Sequence, residues 1–182
     1  MEKKVIGFVG MPGSGKSTAL EVARQWGPVV IMGDVVRDAV RATGQDITPE
    51  NLRAMAQQFR NLNGPQAVAL ECVKKITTLQ NDVVFIDGLR SPPEVSNFRQ
   101  TWKFPIIAIT ARDADRHRWL AARGRPDDTQ VAEKIRLRDE RELKFGIDEV
   151  IAHADYVIRN KGTIEDLQKQ CKKTIQKVLK HY

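Results

Sequence analysis

The apolar run Val5-Ile6-Gly7-Phe8-Val9 leads without a break into Gly10-Met11-Pro12-Gly13-Ser14-Gly15-Lys16-Ser17. This pairing dictates a buried strand, a tight loop and a helix, in that order. Glycines let the backbone curl so that successive N–H groups point at one anion, and a strand must deliver them there. The segment fits G-x-x-x-x-G-K-[ST], the phosphate loop. Thr18-Ala19-Leu20-Glu21-Val22-Ala23-Arg24 continues as a helix whose dipole adds positive potential at the same spot. Gly10, Pro12, Gly13, Ser14, Gly15 and Thr18 are therefore expected to line a nucleoside-triphosphate site. Lys16 would supply a mobile charge for the β- and γ-phosphates, and Ser17 a hydroxyl for Mg²⁺. ATP and magnesium are the expected ligands.

Short, continuous apolar segments predict strands at Lys4–Val9, Val29–Met32, Val83–Ile86, Ile106–Thr110 and Tyr156–Ile158. Strands buried on both faces have this form, and helical stretches separate them. The pattern is a parallel sheet wrapped by helices, an α/β class with its site at the carboxyl ends of the strands. Thr48-Pro49-Glu50, Ser91-Pro92-Pro93-Glu94 and Thr163-Ile164-Glu165-Asp166 mark helix starts. Gly64-Pro65 separates two predicted helices, 49–61 and 65–79. At 182 residues and 41% hydrophobic content, the chain suits one domain with a sizeable core.

Other classes are excluded or weakened by composition. No apolar stretch approaches the ~20 residues that span a bilayer. The opening Met1-Glu2-Lys3-Lys4-Val5 enters the first strand directly, so a cytoplasmic protein without a signal peptide is expected. Cys72 and Cys171 stand far apart, which argues for free thiols rather than a disulfide or metal site. The net charge of +7 admits a nucleic-acid partner, with support from the lysines of the last helix. Its basic residues are interspersed with acids, so a phosphate-handling cleft and a solvated helix face account for it better. The composition leaves oligomeric state open.

Strand three ends in Asp87, the form of a Walker B carboxylate that orients Mg²⁺ opposite Ser17. Asp87-Gly88-Leu89-Arg90 and Gly33-Asp34-Val35-Val36-Arg37 each place an arginine three residues beyond an acid at a strand end. Guanidinium forks bind phosphate oxygens, so Arg37 and Arg90 are candidates for holding an acceptor phosphate. The long helical interval after strand two would then hold the second substrate. Further on, Arg116 to Asp128 ends one helix at Gly124 and turns through Pro126, and Thr129 caps the next. Arginines on such a helical hairpin suit a closing lid. Of Arg136, Arg138 and Arg141, Arg136 is the one expected in the site. Trp119 is read as core packing, and His117, His153 and His181 receive no role.

With phosphate loop, G-D-x-x-R, D-G-x-R and R-G-R-x-D-D in order, nearly the whole chain resembles an adenylate-kinase-type nucleoside monophosphate kinase. More closely, it resembles the adenylate-kinase-related P-loop proteins of archaea. The resemblance implies a three-layer α/β/α P-loop NTPase fold with sheet order 2-3-1-4-5. It implies a core of residues 1–33, 82–112 and 146–182, an acceptor-binding insertion at 34–81 and a short lid at 113–145. It further implies Lys16 and Ser17 on triphosphate and Mg²⁺, with Asp34, Arg37 and Arg90 at the acceptor. Arg123 would meet the adenine or its phosphates, Arg136 the transferring group, and Asn160-Lys161-Gly162 the donor adenine. The usual D-G-F-P-R is one residue shorter here, as D-G-L-R. Ala154 to Thr163 is similar to the closing segment of dephospho-CoA kinases, which phosphorylate a ribose hydroxyl. That alternative makes Asp34 a general base. A P-loop ATPase or switch acting on an RNA or protein partner stays open as a third reading.

Overall fold

The structure, a computed structural model, describes residues 3–123 and 132–182. Its strands are β1 (Lys4–Val9), β2 (Val29–Ile31), β3 (Val83–Asp87), β4 (Ile106–Thr110) and β5 (Tyr156–Arg159). All pair in parallel, in the order β2-β3-β1-β4-β5. The described helices are α1 (Lys16–Ala23), α2 (Met32–Ala42), α3 (Pro49–Asn63), α4 (Ala67–Thr78) and α5 (Pro92–Thr101). They continue with α6 (Asp113–Arg123), α7 (Ala132–Lys144), α8 (Ile147–Ala152) and α9 (Ile164–His181). The expected three-layer α/β/α fold and strand order are both present.

Alternation along the strands divides the interior in two. Ile6 and Phe8 of β1, Phe85 of β3, and Ile107 and Ile109 of β4 point to one face, where α1 and α9 cover them. Val5 and Val9, Val84 and Ile86, and Ile106 and Ala108 point to the other, covered by α2, α4, α5 and α8. Successive side chains of a strand face opposite ways, so a central strand with helices on both sides must be apolar throughout. That is why the apolar runs were legible.

Two expectations need correction. Strand two was expected to reach Met32, but β2 stops at Ile31 and Met32 opens α2. Met32 is 3% exposed, so burial by a helix leaves the same apolar signature as burial in a strand. β5 is an edge strand, and Val157 is 52% exposed rather than covered on both faces. The predicted caps at Thr48 and Thr163 are formed: each side chain accepts from the backbone three residues on, Asn51 N and Asp166 N, both at 3.2 Å. No helix among the described residues is long and apolar enough to cross a membrane.

Candidate nucleotide site

β1 delivers Gly10 to a place with no room for a side chain. A Cβ there would lie 2.5 Å from the Ile109 carbonyl oxygen of β4. Gly13 has φ 80°, and a Cβ on it would come within 2.8 Å of the Arg116 carbonyl oxygen. The loop therefore lies pinned between a neighbouring strand and the backbone of α6. Gly15 caps α1 without a side-chain bond, and the first backbone bond to close is Ala19 N to Gly15 O at 3.2 Å. The amides of Lys16, Ser17 and Thr18 precede that bond, so they belong to the unpaired first turn that suits an anion. Ser14 Oγ is also buried without a partner among the described residues. These orphan donors fit a polyphosphate.

Around the loop opens a cleft of about 570 Å³, within the usual range for small-molecule sites. Gly13 to Thr18 form its floor, Trp119 and Arg138 one side, and Asn160 with Gly162, Thr163 and Ile164 another. Asn160 acts on the loop itself: its Nδ2 donates to Ser14 O at 3.0 Å, and its amide bonds Thr110 O at 2.7 Å.

The β1–β3 register sets Phe8 opposite Asp87, which brings the end of β3 level with the start of the loop. There the Lys16 ammonium is hydrogen-bonded to an Asp87 carboxylate oxygen. No cluster of three or more His, Cys, Asp or Glu that could hold a metal exists among the described residues. Ser17 and Asp87 could hold Mg²⁺ only together with phosphate oxygens, which matches that ion's habit of taking few protein ligands.

On the other side of β3, Asp34 and Arg37 form an ion pair within the first turns of α2, both about half exposed. Arg90 pairs with Glu142 of α7 at 3.3 Å and lies over the Phe145 ring, 5.8 Å from its centroid. The acid–arginine spacing seen in the sequence thus closes locally at Asp34, whereas Arg90 is engaged by a distant element.

The helical hairpin departs most from expectation. Arg136 is 68% exposed in its side chain, sits 3.7 Å from Glu140 and does not line the cleft. Arg138 lines the cleft in its place. Helical geometry separates the two positions by about 200°, so they cannot share a face. The Arg123 side chain, and the turn through Gly124, Pro126 and Thr129, lie outside the described residues. Trp119 is not packed in the core but lines the cleft, half-buried.

Arg116, which the sequence did not single out, is 2% exposed. Its Nη1 donates to Pro12 O of the loop at 2.6 Å. Both terminal nitrogens reach Asp139 of α7, at 3.2 and 2.7 Å, and Nη2 reaches Asp113 at 2.8 Å. His117 Nε2 adds a contact to Asp139 at 2.9 Å. Burial alone would raise the Asp139 pKa, yet the hydrogen bonds from Arg116 and His117 hold it below the ordinary 3.8. For Arg116, burial works against the charge, but Asp139 and Asp113 keep its pKa above the ordinary value. No local signal links positions 116 and 139, which the fold alone joins.

A parallel 2-3-1-4-5 sheet with a glycine cradle at the tip of its central strand defines a P-loop protein of kinase-like architecture. The chain belongs to the AAA domain family (AAA_33), whose profile matches residues 5–143, and to the UPF0200 family of archaeal proteins. A UPF0200 protein of Hyperthermus butylicus is 39% identical over 175 residues, covering 96% of this chain and 94% of its own. One from Methanocaldococcus jannaschii is 40% identical, covering 96% and 90%. A UPF0200/UPF0201 protein of Archaeoglobus fulgidus is 40% identical across the whole chain, which spans only 58% of that longer relative. Among solved structures, TT1252 from Thermus thermophilus has a TM-score of 0.60 at 22% identity, covering 97% of this chain and 98% of its own. Shikimate kinase from Acinetobacter baumannii, in complex with shikimate, has a TM-score of 0.56 at 16% identity, covering 98% and 94%. At such identities these two matches establish the fold.

Proposed function

We propose that the chain is a P-loop nucleotide kinase that moves the γ-phosphate of Mg-ATP to a nucleoside monophosphate or similar small nucleotide. The observation carrying this reading is the pinned phosphate cradle, with Lys16 and Asp87 at its edge and Arg90 just past the adjoining strand end. When bound, Mg-ATP supplies the activated phosphoryl group and the metal's charge. The loop amides and Lys16 hold the polyphosphate, while Ser17 and Asp87 orient the metal. Asn160 keeps the loop in shape through Ser14 O. Trp119 and the Gly162–Ile164 turn bound the end of the cleft that takes the base.

On this reading, residues 34–81 form the acceptor insertion, with Asp34, Arg37 and Arg90 contacting the acceptor. Residues 113–145 would form the lid: Arg138 lines the donor cleft, Arg123 would meet the donor's adenine or phosphates, and Arg136 would join them only if α7 turns on closure. The acceptor's oxygen is already anionic, so arginines serve it where a hydroxyl would require a base. Arg37 and Arg90, each three residues beyond an acid at a strand end, favour the monophosphate over the hydroxyl. The basic stripe of α9 lies opposite the buried face formed by Leu167, Cys171, Ile175 and Val178, as a solvated face does.

The test is a panel of nucleoside monophosphates, nucleosides and dephospho-CoA incubated with Mg-ATP, with products identified by mass. ADP release should require one monophosphate, and Lys16→Ala should abolish it while the fold persists. ADP release that needs no acceptor and rises with RNA would overturn the kinase reading. Transfer to a hydroxyl would replace it with the dephospho-CoA-kinase-like one.

A further inference from the structure

Phe145 lies in the turn between α7 and α8 and is 38% exposed. That turn is seated firmly: Gly146 has φ 90°, and a Cβ on it would lie 3.2 Å from Pro92, two residues past Arg90. Two guanidinium groups converge on the ring. Arg90 comes from the end of β3, 5.8 Å from the centroid, and Arg60 comes from α3, 5.9 Å from it. Such contacts hold a cation without neutralising it.

The two arginines differ in one respect. Arg90 has Glu142 at 3.3 Å, whereas Arg60 forms no ion pair among the described residues. Arg60 is nevertheless half-buried. A guanidinium withdrawn from water with no carboxylate beside it is poised for an external anion. The ring thus joins the insertion, the strand end and the return of the hairpin at one point, with two cations against a single acid.

We propose that Arg60, held against the same Phe145 ring as Arg90, is an anion-binding and specificity-determining residue of the acceptor site, selecting an acceptor that carries a dianionic phosphate. This rests on the kinase reading for the site's location. It extends that reading by a residue from α3 and a ring whose spacing in the sequence gives no hint of either role. A fork from Arg60 and another from Arg90 can each donate two parallel bonds to phosphate oxygens, which a neutral nucleoside cannot accept.

The experiment measures equilibrium binding by calorimetry, with Mg-ADP saturating, for each of AMP, GMP, CMP and UMP against its own nucleoside. Wild type, Arg60→Gln, Arg60→Lys and Phe145→Leu are compared after thermal melts confirm folding. At least one monophosphate is expected to bind ten-fold or more tightly than its nucleoside. Arg60→Gln should cut that preference by ~10- to 100-fold, the usual effect of one charge-assisted contact, with Mg-ADP affinity unchanged. Arg60→Lys should restore part of it, and Phe145→Leu should fall between. The proposal is overturned if no wild-type preference exists, or if Arg60→Gln leaves the preference intact or weakens nucleoside and monophosphate alike. Turnover separates the two readings: Arg60-dependent binding without transfer supports this site and sinks the kinase, whereas transfer with an unchanged KM in Arg60→Gln sinks this site alone.

Discussion

Replacing Arg116 by methionine isolates a buried polar network that ties α6, α7 and the phosphate loop together. The side chain is 2% exposed and donates to Pro12 O, Asp139 and Asp113. Methionine keeps the apolar stem and leaves Asp139, itself 8% exposed, facing an empty position. Removing one member of a buried ion pair typically destabilises by about 3–5 kcal/mol, because the survivor keeps its desolvation penalty. His117 retains its 2.9 Å contact with Asp139, which places the expected loss near the lower figure. For a domain of this size each kcal/mol shifts Tm by about 2–4 °C, so the variant should melt ~6–12 °C below wild type. Scanning calorimetry and urea titration give the number. Hydrogen exchange locates it: α6, α7 and the loop around Pro12 should lose protection before the sheet does. The double variant Arg116→Met with Asp139→Leu should recover most of the loss, since apolar pairs replace buried ion pairs at little cost. A single-variant loss under about 1 kcal/mol, or a double variant no better than the single, would refute the reasoning.

The remaining predictions concern protons. Asp139 has a folded pKa depressed below 3.8, so its contribution is complete above that pH and is lost as pH falls through the folded value. The urea midpoint of wild type should drop more steeply below pH 3.8 than that of the Arg116→Met, Asp139→Leu double variant; parallel acid limbs would count against the cluster. Burial pushes the Cys72 thiol up to about 12 and the Cys171 thiol up to about 11, so neither should react with a thiol reagent at pH 8 until the chain is unfolded. Rapid labelling of the native protein, read by mass, would contradict the packing of α4 and α9.

What the sequence disclosed and what it hid follow from how far the causes reach along the chain. A buried parallel strand declares itself through its own residues, and the phosphate loop through eight consecutive ones, so the fold and the place of that loop were legible. Met32 was misassigned because apolar burial looks alike in a strand and in a first helical turn. Arg136 and Arg138 differ only in the rotation of α7, which depends on its docking against α6. The pairing of Arg116 with Asp139, the entry of Trp119 into the cleft and the meeting of Arg60 with Phe145 all depend on contacts between segments remote in sequence. A single chain read in order carries no local trace of them.

The phosphate loop has two of its carbonyls tethered from behind, Pro12 O by Arg116 and Ser14 O by Asn160. Its concave side is thus shaped before any nucleotide arrives. An arriving polyphosphate meets amides already aimed and has little backbone left to order. On the kinase reading, affinity for the triphosphate would then be tuned by whatever loosens those two tethers.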